Sequence, residues 1–370
     1  MSFPVKYFHS GMAGAPVLSG QAGTLISILK TCLINGFNTK TVNSLVVTSN
    51  VAVATISAGS HGFTVGSIIK VAGASPDGLN VEAKVTAVTN TTVTFATTGI
   101  SDQTATGTIT MFFAPLGGWS EVYAGTTNKL VLRSDDITGT RLYYQFDDTA
   151  ANLVSFRGYE SMSDAVTGVD PFPTFAQQSG TFGIPKSSTS DSTARNWWII
   201  GDGKLFYMGI AYASPYPSAF MPFCIGEPIS YKAGDAKCGI CCGSTYLQSQ
   251  VGENRNWYVA RNMAQSGKSG KHTVWSAFST FGTNANVVFP ALADNGVHLG
   301  KVYFSDSDVI TNGNYQLRGE MPGWYSPNEY RPGTHLEKVT QAGTEYIALS
   351  NSADGGGTPS NHYFSLSAWR

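Results

Sequence analysis

The clearest periodicity in the chain lies between residues 20 and 36, GQAGTLISILKTCLING, where Leu25, Ile28, Leu29, Cys32 and Leu33 recur at i, i+3, i+4, i+7 and i+8. That spacing puts five apolar side chains on one face of a helix and predicts that the face packs on a sheet. Asn35-Gly36 follows as a stop signal, because glycine readily takes the left-handed backbone that ends helices. From residue 45 the period changes to two. LVVTSNVAVATIS sets Val51, Val53 and Thr55 against Ala52, Ala54 and Ile56; SIIKVAGA, VEAKVTAVT, TTVTFATTG and GTITMFF follow, separated by turns rich in Gly, Asn, Asp and Pro. Five or six short strands in so short a span predict a small barrel or sandwich.

Beyond residue 113 the pattern stays β with longer loops. KLVLRS, RLYYQFDD and LVSFRGY read as strands, and NWWIIGDGKLFYMGI reads as a hairpin turning at Gly201-Asp202-Gly203. WYVARN, TVWSAFSTF, KVYFSD, YQLRGEM, EYIALS and HYFSLSAW continue the theme. GYESMSDAVTG is expected to make one short helical turn. The polar stretch QQSGTFGIPKSSTSDSTARN is expected to be an exposed loop, and SADGGGTPSN a flexible tip. The expected fold is therefore mostly β, a multidomain sandwich or barrel with one N-terminal helix and a small inserted β-barrel. Its predicted divisions are an arm and helix at 1–43, the inserted barrel at 44–113, a main β domain at 114–250, and a C-terminal β domain or continuation at 251–370. The first twenty residues read as an extended arm able to dock on a neighbour.

Composition narrows the function classes. The chain has 370 residues, 42% of them apolar, enough for more than one core. Charged residues are only 13%, about half the usual share, and 41 residues are Gly. Such a surface suits broad contacts with other subunits, and it equally suits a β protein with many turns. A net charge of −1 supplies no pull toward nucleic acid or an anionic membrane, so neither is expected as a partner. The N-terminus lacks the charged-then-apolar pattern of a signal peptide, and LISILKTCLI is too short to span a bilayer. Synthesis in a cytoplasm is expected.

Five cysteines, Cys32, Cys224, Cys238, Cys241 and Cys242, form an odd set that argues against a disulfide framework. KCGICCG contains a CxxC, half of a zinc site, but no nearby His completes a tetrahedral set, and buried free thiols are the favoured reading. His9, His61, His272, His298, His335 and His362 show no ligand spacing, and His61, between Gly59 and Gly62, reads as a turn residue. SGKSGK at 266–271 mimics a phosphate loop but has Asn262 where glycine is required, so Lys268 and Lys271 read as solvated charges. Asp135-Asp136 and Asp147-Asp148 could supply paired carboxylates; adjacent aspartates on a strand point to opposite faces, and strand ends and turns are the favoured reading. No catalytic residue, cofactor or metal is assigned. Trp197, Trp198, Trp324 and Tyr325 are the candidate interface residues, with one of the Trp197-Trp198 pair expected inward and the other outward.

Two sets of residues resemble known proteins. VATISAGSHGFTVGSIIKVAGA with LNVEAKVTAVTNTTVTFATTG resembles the small β modules inserted in tailed-phage virion proteins, which are themselves similar to the FCCH barrel of ubiquitin-activating enzymes. The chain departs from that pattern by Ser60 between Gly59 and His61, which implies a turn one residue longer, and by Asn80-Val81 where Asn-Gly is usual. The flanks, YFHSGMAGAPVLSGQAGTLISILKTCLINGF at 7–37, Gly118-Trp119, GTTNKLVLRS, Asp147-Asp148, RGYESMSD, PFP and LRGEMPGWYSP, resemble a tailed-phage structural family. The resemblance implies a virion component, a tail or baseplate protein acting through subunit contacts, with other virion proteins as partners in a homo-oligomeric trimer or hexameric ring. A receptor-binding or capsid-decorating role, with a host-surface glycan or receptor as partner, is the alternative. A polysaccharide-degrading spike using Asp147 or Asp148 ranks third.

Overall fold

The computed structural model describes residues 4–57, 59–176, 183–213, 220–235, 237–244, 255–260, 269–276, 299–306, 316–327, 334–351 and 360–370. Lys268 and the tip at 352–359 lie outside these residues, as do the side chains of Lys271, His272 and His298. The fold is mostly β, with one α-helix among the described residues, Thr24–Lys30. The helix runs on as a π-helical turn, Thr31–Asn35, and all five residues of the predicted apolar face are buried. Gly36 ends it at φ +77°, and a Cβ there would fall 2.5 Å from the carbonyl oxygen of Phe113. Glycine thus stops the helix and lets the next strand start hard against Phe113.

That strand, Phe37–Thr48, opens a closed six-stranded barrel. It pairs with Val51–Ile56 on one side and with Thr110–Phe113 on the other. The circuit continues from Val51–Ile56 to Thr92–Ala96, Glu82–Val88 and Ile68–Ala72, and Ile68–Ala72 closes it on Thr110–Phe113. Gln103–Thr104 adds to the outside end of the long strand. Alternate residues fill the interior, among them Leu45, Val47, Ala52, Ala54, Val93, Phe95 and Met111. The barrel's first strand begins at Phe37 rather than near 44. Register breaks after Phe37 and after Val42 throw the apolar positions out of phase, so the period-two signal emerges only from Leu45.

The rest of the chain forms one continuous antiparallel sheet system. Lys6–His9 pairs with Trp197–Gly201, then Leu205–Ile210, Met221–Gly226 and Ile240–Ser244 follow. From Ile240–Ser244 the ladder runs on through Arg255–Ala260, Ser269–Ser276, Leu299–Asp306, Gln316–Pro327, Ser360–Ser365 and Thr344–Asn351. A branch passes from Ile240–Ser244 through Gly183–Pro185 to Leu153–Met162, Tyr143–Asp147, Lys129–Ser134 and Trp119–Glu121. The strands after residue 250 are therefore laddered directly onto those before it.

The three strands Trp197–Gly201, Leu205–Ile210 and Met221–Gly226 are buried at every position. One face, with Trp197, Ile199, Met208, Phe223 and Ile225, joins a core that also takes in the helix, the barrel interior and Tyr144, Phe146 and Phe156. The other face, with Trp198, Ile200, Tyr207 and Cys224, joins a second core with Phe304, Trp324, Ile347, Phe364 and Trp369. The N-terminal arm packs on the following part of its own chain, pairing through Lys6–His9 and a bridge from Leu18 to Arg195. Two expectations are corrected. The stretch 158–162 is the end of strand Leu153–Met162 rather than a helical turn. The polar loop is buried only at its described start: Gly183–Pro185 is a strand wedged between Leu153–Met162 and Ile240–Ser244, and Lys186 and Ser187 beside it are buried, while Ser188–Ser190 and Ser192–Ala194 are exposed as expected.

Trp198 lies across its partner strand only because Gly209 faces it. A Cβ at Gly209 would fall 2.1 Å from the Trp198 ring. Gly209→Ala should cost about 1–3 kcal/mol by overpacking, read as a lower denaturation midpoint in urea; an unchanged midpoint would mean that the ring moves aside freely.

Candidate functional site

The two predicted aspartate pairs turn out to be structural fastenings. Tyr143–Asp147 ends where the chain meets the helix N-terminus. Asp147 pairs with Lys129 at 2.5 Å and accepts from the Thr149 hydroxyl. Asp148 lies on the other side, fully buried, and its Oδ2 accepts from the Leu25 and Ile26 N–H groups at 2.8 and 3.2 Å. The helix thus receives its N-terminal acceptor from 123 residues away. Asp148 Oδ1 is paired with the equally buried ammonium of Lys186, which also donates to Gln21 O. Burial pushes the Asp148 carboxyl up, against the pull of Lys186 and the two N–H groups. Asp135 accepts from Ser120, and Asp136 is held well below the ordinary carboxylate range by Thr138 and by Lys204, 2.9 Å away.

His61 is equally committed. Its Nδ1 accepts from the Phe63 N–H at 3.0 Å, which makes Nε2 the protonated nitrogen, and Nε2 lies 2.7 Å from Thr89 O. Its own carbonyl accepts from Asn38 Nδ2, and its ring stacks on Phe63. The residue therefore pins the glycine turn to two other barrel segments, as the turn reading expects. Gly118-Trp119 forms a second latch. Trp119 Nε1 donates to Asp202 O at 2.9 Å, and the φ of +71° at Gly118 brings its backbone against Gly203. Asp202 in turn accepts from the Lys204 and Leu205 N–H groups and from Arg370.

The aromatic candidates are corrected. Trp197 and Trp198 do point to opposite faces, but each face has its own core and both rings are fully buried. Their indole N–H groups donate to Pro16 O and Ser350 O. Trp324 is 2% exposed, packed on Tyr207 and Phe364, and only Tyr325 is partly open, edge-on to Tyr346. None of the three tryptophans is available as a contact on the surface of this chain. All five cysteines are buried and free, and burial pushes the Cys32, Cys224 and Cys241 thiols well up. Among the described residues no group of three or more His, Cys, Asp or Glu is placed to hold a metal ion.

Lys186 was missed as a functional partner because it sits in a run of serines and threonines. The single local hint is the apolar Ile184-Pro185 just before it. Glu227 was missed likewise; its Oε1 accepts from the Thr140 and Arg141 N–H groups, 86 or more residues away. Comparison with known proteins adds no relative: no family model and no curated protein matches the chain.

Two expectations follow. Asp148→Asn should cost about 3–5 kcal/mol, because it strands a buried Lys186, and adding Lys186→Met should restore part of the loss in urea denaturation. The second concerns pH. Burial, and secondarily the charge of His9, lowers His335 from 6.5 to about 4, and its Nδ1 accepts from the Ser350 N–H. The unfolded chain binds this proton more tightly than the folded one. Stability should therefore hold above pH 6.5 and fall as the pH drops toward 4, by roughly 1–3 kcal/mol for this group. His335→Asn, which keeps an acceptor, should flatten that slope.

Proposed function

We propose that the chain is a structural component of a tailed-phage virion, most plainly a tail or baseplate protein acting through subunit contacts. One observation carries the reading: the residues through which the chain resembles that family are spent on holding the frame. His61 pins the barrel turn, Asp148 caps the helix, and Gly118-Trp119 latches the Asp202 turn. Within LRGEMPGWYSP, the buried Arg318 pairs with Asp235, and Trp324 fills the second core. Commitment of these motif residues to internal contacts fits a building block better than a catalyst.

The buried tryptophans shift the contact surface elsewhere. Val166, Val169 and Phe175 are more than half exposed on the segment that follows strand Leu153–Met162, and Ile137 is 80% exposed on the turn after Asp136. Exposed apolar groups on a charge-poor surface suit contacts between subunits. The spike reading loses support, since Asp148 is closed off and Asp147 is paired. Purified particles should contain the chain in a fixed copy number that is a multiple of the local symmetry. Its presence in infected-cell lysate and absence from particles would end the reading.

A further inference from the structure

A cavity of about 360 Å³ opens where the first strand, the His61 turn of the barrel and the C-terminal hairpin of Lys338–Gln341 and Thr344–Asn351 meet. Its lining includes Phe8 and Phe113, whose rings are almost wholly buried behind it, with Met12 and Ile68. Its wall carries polar groups from two distant parts of the chain, Tyr7 and His9 on the first strand and Thr64 on the barrel turn, and its rim carries Lys84, Lys338 and Glu345. The volume lies in the range of natural small-molecule sites, and an apolar floor with a few convergent polar groups is their usual make-up.

The rim charges are unevenly matched. Glu345 stands 3.6 Å from the Lys84 ammonium and 3.3 Å from that of Lys338, one lysine on each carboxylate oxygen. Both distances are longer than a well-made charge-assisted hydrogen bond, and one carboxylate faces two ammonium groups. The rim therefore carries one uncompensated positive charge. Lys6, the remaining lysine of the cavity, does not add to it, being paired with Glu82 at 2.9 Å and donating to Leu116 O. Lys338 also lies 5.8 Å from the centre of the Tyr7 ring, within cation–π range. His9 accepts from the Gly11 N–H through Nδ1, and burial pushes its imidazole below the ordinary value.

We propose that this cavity binds a small, singly charged, hydroxyl-bearing carboxylate of the size of one sugar acid, its carboxylate taken by Lys84 and Lys338 and its hydroxyls by Tyr7, His9 and Thr64. Its hydroxyls meet the polar wall, and its carboxylate supplies the missing charge. Glu345 is the ligand's competitor: it occupies the lysines when the cavity is empty and ties the barrel to the C-terminal hairpin. This inference stands independently of whether the chain belongs to a particle.

The test is titration of the full chain with D-glucuronate and with its neutral isostere D-glucuronamide, followed by ligand-observed NMR or calorimetry. Glucuronate should bind saturably with a dissociation constant on the order of 1–10 mM, as expected for a single sugar-sized ligand. Glucuronamide should bind at least tenfold more weakly. Glu345→Gln should tighten glucuronate severalfold by removing the competitor. The Lys84→Met/Lys338→Met pair should abolish binding, and Thr64→Phe should do the same by filling the cavity without touching its charge. A thermal melt of each variant separates loss of binding from loss of fold. Absence of saturable binding to the folded chain would overturn the proposal. So would equal affinity for acid and amide, or binding that survives both the lysine pair and Thr64→Phe.

Discussion

The architecture depends on three strands that have no outside. Trp197–Gly201, Leu205–Ile210 and Met221–Gly226 are covered on both faces, so neither face can be given up to solvent without opening a core. Burial of this kind fixes register strongly, because a slip by one residue would exchange Trp197 for Trp198 between two cores of different shape. Gly209 shows how tight the fit is, since the Trp198 ring occupies the space a side chain there would need. The helix and barrel lean on one face and the C-terminal strands on the other. The chain before residue 120 and the chain after residue 300 are thus joined largely through a middle layer, and directly at the Lys84–Glu345 contact.

Polar fastenings then decide how the layers sit. The buried Asp148–Lys186 pair joins the helix start, a strand end and the wedged strand in one place. An ion pair of this kind contributes little net stability once the desolvation of both charges is counted, yet removing one partner is costly. Its effect is therefore on specificity: only one placement of the helix gives both charges their partners. His61 does the same for the barrel turn with neutral groups, satisfying a donor and an acceptor that the barrel ladder leaves unpaired.

The sequence made the barrel and the helix legible because both obey a simple period. Alternation from Leu45 onward and the five-residue apolar stripe of the helix each follow from one exposed and one buried face. The middle layer hid its arrangement for the opposite reason. WWIIG, LFYMGI and MPFCIG are continuous apolar runs, the mark of strands covered on both faces, and a one-sided reading of Trp197-Trp198 sends one ring outward that in fact has a core of its own. Lys186, Glu227 and the cavity residues were illegible for another reason. Tyr7, Lys84 and Glu345 acquire meaning only through contacts hundreds of residues apart, and no local pattern marks them.

The scarcity of charge also takes on a second meaning. A surface poor in Lys, Arg, Asp and Glu suits subunit contacts, but part of the scarcity arises because several charges are spent inside. Lys6–Glu82, Lys186–Asp148, Arg318–Asp235 and Arg370–Asp202 each pair at least one buried charge with a partner 38 to 168 residues away. Their links are long in sequence, so they constrain how the segments assemble rather than how any one of them folds. The rim of the cavity differs from all of these. Lys84, Lys338 and Glu345 are a third to a half exposed and loosely spaced, the arrangement of charges that can exchange one partner for another. Where the frame needs a charge it is buried and saturated; where a charge is left open and underpaired, it is free to meet a ligand.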